Sequence, residues 1–130
     1  MDDNVVLPGR GVLAEVDVSG LIANGQGSVF EYTDRLGQRS QGFVMFWQGE
    51  YRAYENRCPH WSMPLGLDDH FIDRTGQIFC PIHGALFDID SGECTIGPCV
   101  GSGIERFDVE VVDSKSVRVR RTAIKPKIEI

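Results

Sequence analysis

Apolar and polar side chains alternate along several short segments of the chain, which is the period of a β-strand. Residues 11–18 alternate loosely, with three valines and an alanine on one side. Residues 27–33 place Phe30 and Tyr32 opposite Val29 and Glu31. Residues 57–69 come nearest to a helical period, but Pro59 and Pro64 interrupt them. The pattern therefore predicts an all-β fold, a compact antiparallel sandwich or barrel.

Two hairpins are predicted from the same pattern. Residues 43–47 form a continuous apolar run, and residues 48–50 (Gln-Gly-Glu) turn the chain into a second strand at residues 51–56. Residues 107–120 repeat this arrangement about a turn at residues 113–115. The hairpins predict where the chain folds back on itself.

A stretch of different character separates the hairpins. It is rich in Gly and Pro, and it contains all three histidines and all four cysteines of the chain. We expect a loop-rich insert at about residues 57–103, carried on a single β domain that comprises residues 1–130.

Composition narrows the class of protein. The chain has 130 residues and a formal net charge of −6, which argues against a nucleic-acid-binding protein. It has no apolar run of the roughly 20 residues that cross a membrane. Its start, Met1-Asp2-Asp3, lacks the basic and apolar parts of a secretory leader. We therefore expect a cytoplasmic, monomeric protein whose cysteines are thiols or metal ligands.

Two short motifs combine a cysteine with a histidine: Cys58-Pro59-His60 and Cys80-Pro81-Ile82-His83. Together the two loops offer two sulfur and two nitrogen ligands. This donor set fits a tetrahedral zinc ion or an iron–sulfur cluster with mixed ligation. The same side chains could also simply be packed in a core, although their recurrence beside prolines in two loops argues against it.

These motifs and the residues after them resemble the signature of Rieske 2Fe–2S proteins, most closely the small soluble Rieske ferredoxins. The resemblance runs from about residue 56 to residue 111 and rests also on Gly84, Phe87-Asp88, Gly92 and Gly97-Pro98. A zinc site has no reason to carry the Gly-Pro element, which disfavours zinc. The resemblance implies one Rieske-type 2Fe–2S cluster, with Cys58 and Cys80 on one iron and His60 and His83 on the other.

The resemblance also implies a low reduction potential. High-potential Rieske proteins have a disulfide between the ligand loops, and the matching positions here are Met63 and Ile82. They also have a serine and a tyrosine that donate hydrogen bonds to sulfur, where this chain has Ala85 and Phe87. Without these donors the added electron is less stabilised.

Several residues of the insert have no role in the motifs. Cys94 and Cys99 are interpreted as two small, partly buried thiols, with a redox-sensitive dithiol or an auxiliary disulfide near Gly97-Pro98 as alternatives. His70 is expected to be a solvated loop histidine. Trp61, Met63, Pro64 and Leu65 form either a hydrophobic docking rim or local packing for the first ligand loop.

The resemblance implies an electron carrier that takes single electrons from a flavin reductase and passes them to an oxygenase or another terminal acceptor. We expect no catalytic residues, because the sequence has no room for a mononuclear-iron domain and no nucleotide-binding glycine motif. One alternative is a small Rieske-like subunit of a reductase complex, such as nitrite reductase. The other is a redox or iron sensor that uses Cys94 and Cys99. The acidic excess either steers a basic redox partner or only keeps the protein in solution.

Overall fold

A computed structural model of the protein describes residues 12–59, 63–81 and 84–122, and these contain nine β-strands and no helix. In chain order the strands are β1 (Val12–Asp17), β2 (Gly27–Thr33), β3 (Arg39–Trp47), β4 (Glu50–Glu55), β5 (Ile78–Phe79), β6 (Leu86–Phe87), β7 (Cys94–Ile96), β8 (Arg106–Val111) and β9 (Ser116–Arg121). The all-β prediction is confirmed. The part of the chain so described contains no helix that is long and apolar enough to cross a membrane.

The strands form two antiparallel sheets. The larger has six strands in the order β1-β9-β8-β4-β3-β2, and the smaller has three in the order β5-β6-β7. β1 and β2, at opposite ends of the larger sheet, contact each other, so that this sheet curls into a nearly closed barrel. The small sheet is built entirely from the insert between the two hairpins.

Both predicted hairpins are present. In the first, Trp47 pairs with Glu50 across a two-residue loop of Gln48 and Gly49, with φ of 51° and 83°. Positive φ at both positions is the geometry of a tight hairpin turn, which glycine adopts without strain. In the second, β8 pairs with β9, and the carboxylate of Asp113 accepts the N–H of Ser116 at 2.9 Å.

The continuous apolar run in β3 is explained by burial on both faces of the hairpin. Val44 on β3 and Ala53 on β4 point into the barrel. Phe43, Met45 and Tyr54 belong to a second hydrophobic cluster, between the barrel and the small sheet. The other buried members of the barrel cluster are Val16, Val18, Phe30, Tyr32, Phe107, Val117 and Val119. A strand buried on both faces has no polar side to alternate with.

The insert packs against the outer face of this hairpin. The ring of Phe71 stacks on the ring of Phe43 with centroids 4.0 Å apart and planes 4° apart. The strands β5, β6 and β7 are too short to show an alternating pattern in sequence. The sequence predicts a loop-rich insert without identifying these strands, and the structure joins them into a sheet of their own.

Polar contacts fix one turn of the insert to the barrel. The buried hydroxyl of Tyr54 donates to the carbonyl of Ile89 at 2.7 Å. Beside it, Arg52 forms an ion pair with Asp90 at 2.8 Å, and Arg106 donates to the carbonyl of Asp90. The turn at residues 88–91 is thus held by β4 and β8 together.

The hydrogen bond from Tyr54 gives a stability prediction. Tyr54→Phe removes the donor and leaves the carbonyl of Ile89 without it in a buried position, which costs about 1–2 kcal/mol. Urea denaturation at pH 7 measures this as a lower free energy of unfolding. Tyr51→Phe is the matched control, because Tyr51 lies on the same strand, is half-buried, and packs through its ring against Phe46.

Wild type and Tyr54→Phe should also differ in how their free energy of unfolding changes in alkali. Burial raises the pKa of Tyr54 to about 12, whereas a tyrosine in the unfolded chain ionises near pH 10. The stability that the neutral phenol confers is complete below pH 10 and is lost as the pH rises towards 12. Wild type should therefore lose about 2–3 kcal/mol more than Tyr54→Phe between these values. If the free energies of unfolding of the two proteins fell in parallel over this pH range, the raised pKa of Tyr54 would be contradicted.

Candidate metal centre

Cys58 and Cys80, the cysteines of the two motifs, meet in the cluster between the barrel and the small sheet. Cys58 follows β4, and Cys80 directly follows β5. Both side chains are fully buried. They share this cluster with Leu65, Ile78 and Phe87, among others. Two cysteines that are distant in sequence thus belong to the same buried and largely apolar cluster.

The two cysteines begin loops that the backbone closes in the same way. The N–H of Cys58 donates to the carbonyl of Met63 at 2.7 Å, and the N–H of Cys80 donates to the carbonyl of Ala85 at 2.9 Å. In both loops the acceptor lies five residues after the cysteine. His60 and His83 fall inside these closed loops in sequence, but both lie outside the described residues.

Asn56 anchors the first loop. It is a buried polar residue, 7% exposed, and its side-chain oxygen accepts the N–H of Leu65 at 2.8 Å. Its own N–H donates to the carbonyl of Gln41 on β3 at 2.8 Å. Asn56 lies outside the Cys–His motifs, so that no motif marks its role; the available signal is that an amide side chain just before a loop is a typical acceptor for loop N–H groups.

The two loops are also joined to each other. The N–H of Gly66, at the end of the first loop, donates to the carbonyl of Phe79 at 2.9 Å. Phe79 immediately precedes Cys80. The position of the first loop is therefore coupled to the strand that carries the second cysteine.

A third loop, which contains Gly97, packs on the loop that begins at Cys80. Gly97 contacts Ala85 so closely that a Cβ at Gly97 would lie 2.9 Å from the Cα of Ala85. The φ of Gly97 is also positive, at 110°, so that both space and backbone require glycine there. Ala85 and Phe87 are fully buried, and neither has a hydroxyl group.

Cys94 and Cys99 form a disulfide, with their Cα atoms 5.8 Å apart. The interpretation as two thiols is wrong, and the alternative of an auxiliary disulfide near Gly97-Pro98 describes the structure. The reason is the turn at Gly97-Pro98, which reverses the chain after β7 and brings Cys99 next to Cys94. Spacing in sequence does not reveal such a turn.

The remaining side chains of the insert divide by exposure. His70 is exposed, and its backbone bonds to that of Leu67, which confirms the prediction of a solvated loop histidine. Leu65 is buried and serves local packing, whereas Met63 is 40% exposed. Trp61, Ile82 and the two motif histidines lie outside the described residues, so the predictions made for them stay predictions.

One ionised carboxylate lies close to the small sheet. Asp88 follows β6, and its carboxylate accepts the N–H of Ser91 at 2.8 Å. This hydrogen bond lowers the pKa of Asp88 below its ordinary value. The turn beside the small sheet therefore keeps its negative charge to a lower pH than an ordinary aspartate would.

The described residues fit half of a mixed-ligand iron–sulfur site. Two buried cysteines at the start of matching loops would supply the two sulfur ligands that such a cluster needs. The apolar side chains around them limit access of water, which helps to set the properties of a bound cluster. Within residues 12–59, 63–81 and 84–122 no three His, Cys, Asp or Glu side chains are grouped to hold a metal ion. The four-residue ligand set remains a prediction.

The anchor at Asn56 gives a second stability prediction. Asn56→Ala leaves the buried N–H of Leu65 without its acceptor, which costs about 1–3 kcal/mol in the free energy of unfolding. Asn24→Ala is the matched control. The Asn24 side chain also accepts a backbone N–H, from Gln48 at 2.6 Å, but it does so at an exposed site where water can replace it. Denaturant titration should find the control within about 0.5 kcal/mol of wild type; equal losses would contradict the role of Asn56.

Known proteins resemble this chain in sequence and in fold. Over 77 residues it is 31% identical to apoptosis-inducing factor 3 of Mus musculus, a match that covers 58% of this chain and 12% of that protein. Its fold matches the ferredoxin of carbazole 1,9a-dioxygenase from Nocardioides aromaticivorans IC177, with 25% identity, a TM-score of 0.65, and coverage of 86% of this chain and 99% of that one.

The fold also matches a chain of Mycobacterium tuberculosis described as an NADH-dependent nitrite reductase small subunit, with 19% identity and a TM-score of 0.56 over 86% of this chain and 98% of that one. At that identity the likeness concerns the fold alone. The family model of the Rieske [2Fe-2S] domain matches residues 16–118, most of the chain and all of the paired motifs. The protein therefore belongs to the Rieske [2Fe-2S] domain family, whose cofactor is a 2Fe–2S cluster.

Proposed function

We propose that this protein is a Rieske-type ferredoxin, a single-electron carrier whose cluster is held by Cys58 and Cys80 on one iron and by His60 and His83 on the other. The observation that carries the proposal is that the two motif cysteines, both fully buried, belong to one hydrophobic cluster and begin two loops closed by equivalent backbone hydrogen bonds. We further propose that residues 1–130 act as one domain, with the site in the insert of about residues 57–103.

When bound, a cluster of this kind takes up and releases one electron at a time. The chain contributes the ligands and their surroundings. Two neutral imidazoles in place of two thiolates reduce the negative charge at the site, so that adding an electron costs less than with four cysteines. Buried Ala85 and Phe87 offer no hydroxyl donor to the sulfur atoms. This favours a potential near the low end of the Rieske range.

The proposed partners are a flavin reductase as donor and a terminal oxygenase as acceptor, met in the cytoplasm. A ferredoxin of a dioxygenase shares the fold over nearly its whole length, which supports this pairing. The net charge of −6 favours partners with a basic docking face and association rates that fall with added salt.

The second candidate is a permanent subunit of a reductase complex. It is supported by the fold shared with the chain described as a nitrite reductase small subunit. A carrier binds its partners transiently, whereas a subunit stays bound. The two candidates therefore differ in the lifetime of the complex and not in the fold.

The ligand assignment predicts the composition and the spectrum of the protein. The purified chain should contain about two irons and two acid-labile sulfides. His83→Cys should abolish the electron paramagnetic resonance signal of mixed ligation, because it replaces a nitrogen ligand by sulfur. His70→Cys is the matched control, since His70 is exposed and outside the motifs. Bound zinc without sulfide, or an unchanged signal in His83→Cys, would contradict the assignment.

Electron transfer tests the function itself. Stopped-flow mixing with a flavin-dependent ferredoxin reductase and then with an oxidised Rieske oxygenase should show reduction and reoxidation at rates proportional to partner concentration. The rates should fall as ionic strength rises, because exposed charges are screened over about 10 Å at 0.1 M salt. A complex with either partner that survives gel filtration at micromolar concentration would instead support a permanent subunit.

A further inference from the structure

The disulfide between Cys94 and Cys99 lies beside an open cavity. The cavity has a volume of about 470 Å³ and is lined by Glu93, Cys94, Val100, Gly101 and Ser102. Both sulfur-bearing residues are largely buried, at 5% and 4% exposure. Of the two cysteines, only Cys94 lines the cavity. A thiolate that entered the cavity would therefore approach the disulfide from the side of Cys94.

The disulfide closes the loop that lies on the second ligand loop. Between its two cysteines are Gly97, in contact with Ala85, and Ile96, which pairs with Leu86. The carbonyl of Ala85 accepts the N–H of Cys80 and so closes the loop that begins there. The disulfide thus holds the segment between Cys94 and Cys99, which contacts Ala85 in the loop that begins at Cys80.

Two backbone hydrogen bonds join residues within the rest of the third loop, and another, from the N–H of Cys94 to the carbonyl of Ser102 at 2.9 Å, joins its two ends. The N–H of Val100 donates to the carbonyl of Gly97 at 3.3 Å, a long distance for such a bond. The N–H of Ser102 donates to the carbonyl of Cys99 at 2.9 Å. Without the disulfide, these contacts and the pairing of β7 with β6 hold the segment. We expect the segment to loosen without unfolding, because a disulfide that closes so short a loop contributes less stability than one that closes a long loop.

We propose that the Cys94–Cys99 disulfide is a thiol–disulfide exchange site for a dithiol protein of the thioredoxin class, and that its reduction loosens the loop that holds Ala85. A disulfide that persists in a reducing cytoplasm is usually redox-sensing or catalytic, so this step rests on the proposed location. The exchange itself goes beyond electron carriage by the cluster and does not depend on it.

The exchange balances as a transfer of two electrons and two protons. A thiolate of the partner attacks the sulfur of Cys94, a mixed disulfide forms, and Cys99 leaves as a thiolate that takes up a proton. The second thiol of the partner then attacks the partner sulfur of the mixed disulfide and releases Cys94, which is protonated in turn. The partner is oxidised to a disulfide, and the protein gains two thiols.

This couple is separate from the cluster. Reduction of a disulfide takes two electrons, and a Rieske cluster carries one, so one reduced cluster cannot open the bond. The state of the disulfide therefore reports the thiol poise around the protein, while the cluster reports its electron donor. Because the segment closed by the disulfide contacts Ala85, the thiol poise acts on the loop that begins at Cys80 and carries proposed cluster ligands.

The experiment incubates the native holoprotein with dithiothreitol, or with thioredoxin kept reduced by its reductase and NADPH, and then alkylates it. Peptide mapping should find alkylation at Cys94 and Cys99, with Cys58 and Cys80 unmodified because the cluster protects them. A thioredoxin variant that lacks its second cysteine should be trapped at Cys94. Trapping at Cys99, or reduction only in denaturant, would overturn the proposal and leave electron carriage untouched.

The effect on the loop is read by hydrogen exchange and by release of the cluster to a chelator. After reduction the amides of Val100 and Ser102 should exchange about tenfold faster, whereas those of the 112–116 turn should not change. Iron should be lost to the chelator several-fold faster. Cys94→Ser/Cys99→Ser should match the reduced wild type without any reductant. Equal exchange and equal iron loss in the two states would show a disulfide that does not act on the ligand loop.

Discussion

Burial of the β3–β4 hairpin on both faces is the constraint on which the rest of this structure depends. One face supplies Val44 and Ala53 to the barrel, and the other supplies Phe43, Met45 and Tyr54 to the cluster that contains both motif cysteines. The insert has only short strands of its own. It gains its fixed position from apolar contact with this outer face and from the hydrogen bond of Tyr54.

Two hydrophobic cores therefore have different tasks. The barrel core holds together the six strands of the larger sheet. The second core surrounds the ligand-bearing loops, and its packing decides how much water reaches them. Substitutions inside the barrel are expected to act on stability, whereas substitutions at Ala85, Phe87 or Gly97 are expected to act on the proposed iron–sulfur site.

The sequence predicts those parts of the molecule that local patterns determine. The first hairpin follows from an apolar run and a turn with glycine, and the second from alternating residues on either side of the turn at residues 113–115. The paired Cys–His motifs identify the family. The small sheet could not be predicted, because strands of two or three residues are stabilised by tertiary contacts and leave no periodic trace.

Contacts formed within the loops of the insert account for the other differences. The role of Asn56 depends on Leu65 being brought to it by the fold, and the disulfide depends on a turn at Gly97-Pro98. Neither contact has a counterpart in the alternation of apolar and polar residues. The motif histidines are still identified by sequence alone.

The double-sided hairpin also makes strand register an all-or-none property. Side chains alternate along a strand, so that a slip of one residue would carry Val44 out of the barrel and put Phe43 or Met45 in its place. Ala53 and Tyr54 would exchange in the same way, and large rings would have to fit where small side chains were. The tight turn at Gln48-Gly49 sets the register of β3 against β4. An insertion of a single residue there would therefore disturb both cores at once, although the turn itself touches neither.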